Sequence, residues 1–207
     1  PWRLPDVDSF KPIGNRLITE PNGEDGEYLP YKRDPDTLAR TWATPGTPNM
    51  MHRIGGLEKD ELTGNVSYDP ENHEKMCQLR RDKVQRIANY IPEQEVFGSE
   101  DGLLILAWGS TFGAVRQAVI GANKEGKRVA HAHLRHISPF PRNLAKLMSR
   151  YEKVLIPEMN LGQLSKVIKS EYLVDVISHT KIQGQPFKVS EIETEINKAI
   201  SNNGQEA

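Results

Sequence analysis

The sequence predicts an α/β protein: an open, mainly parallel sheet with flanking helices, preceded by a Pro/Gly-rich extended arm and one helix. Three observations carry this. Leu103–Trp108 is a continuous apolar run without polar alternation, the pattern of a central strand covered on both faces. Phe112, Val115, Val119 and Ala122 follow at helical spacing, Gly126 offers a stop, and Arg128–Leu134 reads as a second strand. The three pieces make a strand–helix–strand unit, the crossover that parallel strands require, with a right-handed connection. Finally, residues 1–70 hold nine of the fourteen prolines and seven of the sixteen glycines, which disfavours long regular elements there.

Taken in order, residues 1–69 form the arm. Trp2, Tyr28, Leu29, Tyr31, Trp42, Met50 and Met51 punctuate it, so it reads as an ordered strap lying on another surface rather than a disordered linker. Residues 70–101 supply a helix and a linker. Asp69-Pro70-Glu71 combines an N-cap, a proline at the first helical position and a first-turn acid. Met76, Leu79, Val84, Ile87 and Ile91 make an imperfect apolar stripe up to Pro92, and residues 93–101 join the helix to the next domain.

The α/β domain occupies 102–207. After Leu134, a Ser138–Pro141 turn leads into a helix carrying Leu144, Leu147, Met148 and Tyr151. Lys153–Ile156 is a third strand, expected to end at Pro157. Asn160 with Gln163 has the spacing of a capping box for the following helix, and Ser190 with Glu193 has it for the last one. Val174–Ile177 is predicted as a short strand, Ile182 and Phe187 flank a turn or edge strand, and the tail from Ser201 is expected to fray. No internal repeat is evident.

Bulk properties narrow the function classes. The net charge is −1, from 27 basic and 28 acidic residues, which argues against a general nucleic-acid surface or a polybasic membrane patch. No apolar run approaches a spanning length. The single cysteine, Cys77, excludes an internal disulfide or a four-thiolate cluster held by this chain alone, in keeping with a reducing, cytoplasmic setting. The chain opens on Pro1-Trp2 without an initiator Met, which reads as a piece of something longer.

Four stretches could carry chemistry. His131 and His133, with His136 beyond them, share a strand face that permits metal ligation, but no acid or thiolate sits at a supporting spacing; hydrogen-bonded histidines at a strand end account for them better. Gly109–Gly113 lies between strand and helix, where backbone N–H groups can hold an anion, yet lacks both the Walker lysine and the dinucleotide fingerprint, so a tight turn with a helix cap is the simpler reading. One unit later, Glu158, Asn160 and Gln163 occupy the same topological position; capping explains Asn160 and Gln163, and Glu158 has no evident structural duty. The fourth is Gly46–His73. Arg53 is a natural bidentate clamp for a carboxylate or phosphate, and Thr63 offers a hydroxyl. Equally, Arg53 could pair with Glu58 or Asp60 on a surface loop.

Four segments, HRIGGLEKDELTGNVSYDPENHEKM, WGSTFGAVRQAV, AHLRHISPFP and VLIPEMNLGQL, closely resemble the alpha subunit of bacterial 2-oxoglutarate:ferredoxin oxidoreductases, of the 2-oxoacid:acceptor oxidoreductase family that includes pyruvate:ferredoxin oxidoreductase. The similarity runs in order through nearly all of residues 1–200. It implies that 102 onward is a transketolase C-terminal-like domain and that the arm follows a pyrimidine-binding domain absent from this chain. Members of the family decarboxylate a 2-oxoacid on thiamine diphosphate, pass electrons through an iron–sulfur cluster to ferredoxin, and give the acyl group to coenzyme A.

This chain lacks the Gly-Asp-Gly motif for diphosphate and Mg2+, the cluster cysteines and the pyrimidine-domain glutamate. The resemblance therefore implies that it binds no cofactor itself, works with a beta subunit in a dimer of alpha–beta units, and is inert in isolation. It further implies that Arg53 binds the distal carboxylate of 2-oxoglutarate, with Thr63 assisting, His52 as a neighbour, and the Glu158–Gln163 loop as a second contact. A different class of reading makes the chain purely an oligomerisation or docking module of an enzyme with another substrate, such as pyruvate. A free-standing nucleotide-binding domain is the third, disfavoured by the missing glycine fingerprints.

Overall fold

The computed structural model describes residues 4–11, 14 and 16–201. Trp2 and the tail beyond Ser201 therefore lie outside the described residues. The chain forms two compact units, Pro1–Ile87 and Ala88–Ala207, so the first helix belongs with the arm.

The first unit has little regular structure. Strands β1 (Leu17–Ile18) and β2 (Trp42–Ala43) make a two-residue parallel pair. The rest is tied by side chains: the Asn22 amide exchanges hydrogen bonds with the backbone of Leu29, accepting at 2.7 Å and donating at 3.1 Å. Two turns of identical construction recur, a local repeat that no sequence period announced. In Asp34-Pro35-Asp36-Thr37, Asp34 Oδ1 accepts from the backbone of Asp36 and Thr37 and from the Thr37 hydroxyl. In Asp60-Glu61-Leu62-Thr63, Asp60 Oδ1 accepts from the backbone of Leu62 and Thr63 and from the Thr63 hydroxyl. Each closes with the same backbone bond at 2.8 Å, Asp34 to Ala39 and Asp60 to Asn65. Each also needs a left-handed residue in the same place, Leu38 (φ 55°) and Gly64 (φ 72°). A Cβ on Gly64 would come within 2.9 Å of the Tyr31 ring, so glycine is required for contact as well as for φ. Tyr31, Leu38, Met50 and Met76 are the buried centre of this unit.

Helix α1 (Pro70–Arg86) starts as predicted, with the Asp69 carboxylate accepting from Glu71 N at 3.0 Å. It ends before Pro92, however, at Arg86, and passes into a 3-10 turn over Ile87–Asn89. The reason is lack of burial: Met76 is the helix's one buried residue, while Val84 and Ile87 are 41% and 45% exposed, so little packing supports a further turn.

The second unit is an open five-stranded sheet, β3 (Phe97–Gly98), β4 (Leu103–Trp108), β5 (Val129–Leu134), β6 (Lys153–Glu158) and β7 (Ile177–Thr180), in the order β3-β5-β4-β6-β7. All pairings are parallel except β3 with β5. The helices are α2 (Phe112–Lys124), α3 (Leu144–Met148), α4 (Gln163–Tyr172) and α5 (Val189–Ser201). Strand β4 is buried on both faces. Leu103, Ile105 and Ala107 pack with α2 and α5, and Leu104 and Leu106 with α3 and α4. Each such leucine or isoleucine contributes roughly 1.5–3 kcal/mol by leaving water. This is the fold class the apolar run indicated.

Local departures have local causes. Residues 93–101 are not wholly linker, because Phe97 and Gly98 pair with His131 and Ala130 on the sheet edge. Strand β6 does not end at Pro157 but runs on to Glu158. Its pairing with β4 stops at Leu155 while that with β7 continues, and a residue without an N–H is tolerated where one side of the ladder is vacant. The strand expected at Val174–Ile177 is displaced to Ile177–Thr180: Leu173, at φ 53°, turns the chain out of α4, and Val174–Val176 forms the connection. Between Ile182 and Phe187 the chain is an irregular turn. Helix α5 opens at Val189, with Glu191 rather than Glu193 reaching back, accepting from Lys188 N at 2.7 Å. Among the described residues no helix is long and apolar enough to cross a membrane.

Candidate functional site

Within the first unit, the loop following Met50 presents Arg53 to solvent. Its two alternative acid partners are engaged elsewhere. Glu58 accepts from Arg80 at 3.0 Å and from His73 at 2.6 Å, and these bonds, Arg80's foremost, hold its carboxyl below the usual range. Asp60 is turned into its own turn, where the Thr63 N–H is the leading cause of its lowered pKa. Among the described residues Arg53 forms no ion pair, so its guanidinium is available to an outside anion. Thr63 is placed differently. A hydroxyl has one proton, and this one goes to Asp60 Oδ1 at 2.8 Å, while the oxygen receives Asn65 N at 3.3 Å. His52 is held by Met50 O at 2.9 Å and meets the Tyr28 ring edge-on at 5.0 Å.

His52 and Ile54 line a groove of about 730 Å3 together with Tyr28, Trp42 and Arg40. Sequence reasoning passed over Arg40, whose guanidinium lies 4.3 Å above the Tyr31 ring. The signal was the repeated Asp-x-x-Thr turn, which sets Arg40 opposite Arg33 as it sets Val66 opposite Lys59.

Within the second unit the loops after β4 and β6 lie side by side, with the Ser110 hydroxyl donating to Met159 Sδ at 3.6 Å. The connections from these strands run to opposite faces, so this is the switch point at which open sheets bind ligands. Glu158 has a structural duty after all. Wholly buried, it accepts from Leu164 N (2.7 Å), Ser165 N (2.9 Å) and the Ser165 hydroxyl (2.8 Å). Asn160 Oδ1 takes Gly162 N (2.7 Å) and Gln163 N (3.0 Å), so it organises the loop rather than forming the expected box. The N–H groups at the start of α4, topologically equivalent to the Gly109–Gly113 turn, are thus taken by the chain's own oxygens. Gln163 is exposed at the first position of α4. The other helix start, after Gly109, carries no side-chain cap; the Thr111 hydroxyl donates to Trp108 O instead.

His131 and His133 share one face of β5, as the alternation required, with ring centroids 5.4 Å apart. Burial, reinforced by Arg116, lowers His131 to about 3, and burial also lowers His133. Both rings are therefore neutral near pH 7. No group of three metal-ligating side chains occurs among the described residues.

Comparison with known proteins defines the class. Residues 102–192, which hold strands β4 to β7 and helices α2 to α4, match the pyruvate:ferredoxin oxidoreductase core domain II. Over 204 residues, 97% of the chain, the sequence is 45% identical to the 2-oxoglutarate oxidoreductase subunit KorA of Mycobacterium tuberculosis, spanning 30% of that protein. It is 32% identical over 72% of its length to the 2-oxoacid:ferredoxin oxidoreductase subunit alpha of Saccharolobus solfataricus, spanning 24% of it. A solved 2-oxoglutarate:ferredoxin oxidoreductase from Magnetococcus marinus, with 2-oxoglutarate, coenzyme A and succinyl-CoA bound, superposes with a TM-score of 0.84 at 32% identity, covering 95% of this chain and 34% of that one. The chain belongs to the 2-oxoacid:ferredoxin oxidoreductase family and corresponds to part of its alpha subunit. It spans about a third or less of the length of these relatives.

The donors present do not fit the cofactors that the resemblance implies. One thiol cannot hold an iron–sulfur cluster, and the Gly-Asp-Gly sequence for a diphosphate and its Mg2+ is missing.

Proposed function

We propose that this chain is the carboxyl-terminal part of the alpha subunit of a cytoplasmic, thiamine-diphosphate-dependent 2-oxoglutarate:ferredoxin oxidoreductase, and that Arg53 supplies the cation for the distal carboxylate. The enzyme converts 2-oxoglutarate and coenzyme A to succinyl-CoA and passes the electrons to ferredoxin. Thiamine diphosphate, Mg2+ and the cluster reside on other parts of the complex, including the beta subunit, and the complex is a dimer of alpha–beta units. Alone, this chain is inert.

The observation that carries the reading is the exposed Arg53 guanidinium, left without an acid among the described residues while Glu58 and Asp60 are committed elsewhere. A 2-oxoglutarate enzyme needs such a group; a pyruvate enzyme does not. Thr63 assists by fixing the turn, lending an oxygen more readily than a proton. His52 walls the approach. Asn160 and Gln163 make a second, weaker contact in a loop that Glu158 positions.

The test is kcat/KM for 2-oxoglutarate and pyruvate in the reconstituted alpha–beta complex, with viologen as acceptor. A charge-assisted bond contributes about 1.5–3 kcal/mol, so Arg53→Ala should lower the 2-oxoglutarate value roughly tenfold to over a hundredfold and spare pyruvate. Equal loss on both substrates refutes the assignment. The docking-module reading draws on Met51, Ile54 and Leu57, exposed at 94%, 59% and 59% around Arg53. It predicts that Arg53→Ala has no effect, while charged replacements of the three apolar residues weaken subunit association.

A further inference from the structure

Away from these loops, the second unit holds a cavity of about 410 Å3 at the carboxyl end of β5, lined by Phe97, Phe112, Arg116, His131, His133 and Arg135 among others. A second hollow of about 590 Å3 shares Phe112, His133 and Arg135 with it. The polar groups of the cavity have an unusual balance. Arg116 Nε donates to His131 Nδ1 at 3.2 Å, so the ring proton of neutral His131 resides on Nε2. That nitrogen is wholly buried and has no partner among the described residues. A buried donor left unpaired costs about 1–3 kcal/mol, so its presence calls for an acceptor. The Arg116 guanidinium lies over both the Phe97 ring (4.0 Å) and the Phe112 ring (5.0 Å), cation–π contacts that help to hold it in place. Among the described residues neither Arg116 nor Arg135 forms an ion pair. Glu93 and Glu95 stand on the exposed rim, also without a pair.

We propose that this cavity is a binding site for a compact oxyanion, a carboxylate or phosphate group, gripped by the Arg116 guanidinium and His131 Nε2–H, with Arg135 adding charge at the mouth. A planar guanidinium held on aromatic faces beside an N–H donor matches two oxygens of one such group. His133 Nδ1, likewise buried and without a partner among the described residues, accepts a hydrogen bond from the O–H of a hydrogen phosphate or of a water carried in with the anion. The cavity is too small for a whole dinucleotide and suits a small acid or a single phosphate.

Calorimetric titration of the full chain, with inorganic phosphate and separately with succinate, tests this. Saturable binding of either probe is expected, and the probe that binds identifies the group. Arg116→Gln should weaken it at least tenfold, and Arg116→Lys less. Lys124→Gln, a surface lysine elsewhere, should leave it unchanged. If Arg116→Gln melts early, Arg135→Gln, at an exposed position, should still weaken binding about threefold. In parallel, the His131 ring nitrogen resonances should shift on saturation. No saturable binding of either probe, or unaltered binding by both arginine variants, overturns the proposal and leaves a cavity for water.

Discussion

The loop bearing Arg53 and the loop bearing Glu158 hold similar polar residues and use them in opposite ways. Around Arg53 the acids are consumed by α1 and by the Asp60 turn, Lys59 is buried and donates to Leu57 O, and the exposed Arg53 guanidinium is left without an ion pair among the described residues. Around Glu158 everything is consumed: three donors close on one buried carboxylate, and Asn160 takes two more. A charged residue is available for ligand chemistry when its neighbours are satisfied without it. That condition is met in the first loop for Arg53 and fails in the second for Glu158.

The largest effect expected from breaking this contrast is on stability. Glu158→Ala removes an acceptor from two backbone N–H groups and a hydroxyl in a place water cannot reach. Bonds to a charged acceptor contribute about 1.5–3 kcal/mol each and are not additive, so the loss should be on the order of 3–5 kcal/mol. For a domain of this size that lowers Tm by roughly 10 °C or more. Glu158→Gln, which keeps one oxygen, should cost about half. Arg53→Ala should leave Tm within a degree or two while lowering activity on 2-oxoglutarate. A thermal melt of the three variants separates the loops; equal destabilisation would erase the distinction.

Next in size is a pH effect. His131 titrates near 3 in the fold, because burial and Arg116 oppose its charge, and near 6.5 in the unfolded chain. As pH falls from 6.5 toward 3 the unfolded chain takes up a proton that the fold refuses. Stability is thus complete above about 6.5 and declines below it by up to about 1.4 kcal/mol per pH unit. Denaturant midpoints at pH 7, 6 and 5 should fall less steeply in His131→Gln than in the wild type. Parallel curves would mean that His131 is protonated within the fold.

The strand–helix–strand unit was legible because six apolar residues in a row leave few alternatives, and the sheet face shared by His131 and His133 followed from simple alternation. The short edge strand Phe97–Gly98 was not, since two residues carry no period. Pro157 inside β6 depends on which neighbour has stopped pairing, a tertiary fact. Glu158 was misjudged for the same reason: its donors lie six and seven residues on, beyond the three-residue spacing of a capping box. Arg53 stood out by residue type, but its lack of a partner could only come from seeing where Glu58 and Asp60 turn.

The smallest effect is the most discriminating, because the molecule carries its own control. Thr37 and Thr63 make the same bonds to Asp34 and Asp60, and both aspartates are held below the usual carboxylate range, with the threonine N–H as leading cause. Thr37→Val and Thr63→Val each lose the two bonds of the hydroxyl, one donated to the aspartate and one accepted from a backbone N–H, while keeping shape, so each should cost about 1–2 kcal/mol. If the Asp60 turn serves only as architecture, the two variants should also behave alike in the reconstituted complex. If Thr63 touches the substrate beside Arg53, its variant alone should lose a further threefold or more in kcat/KM for 2-oxoglutarate, with pyruvate unaffected. Thr37 cancels the turn's stability from the measurement, and what remains belongs to the ligand.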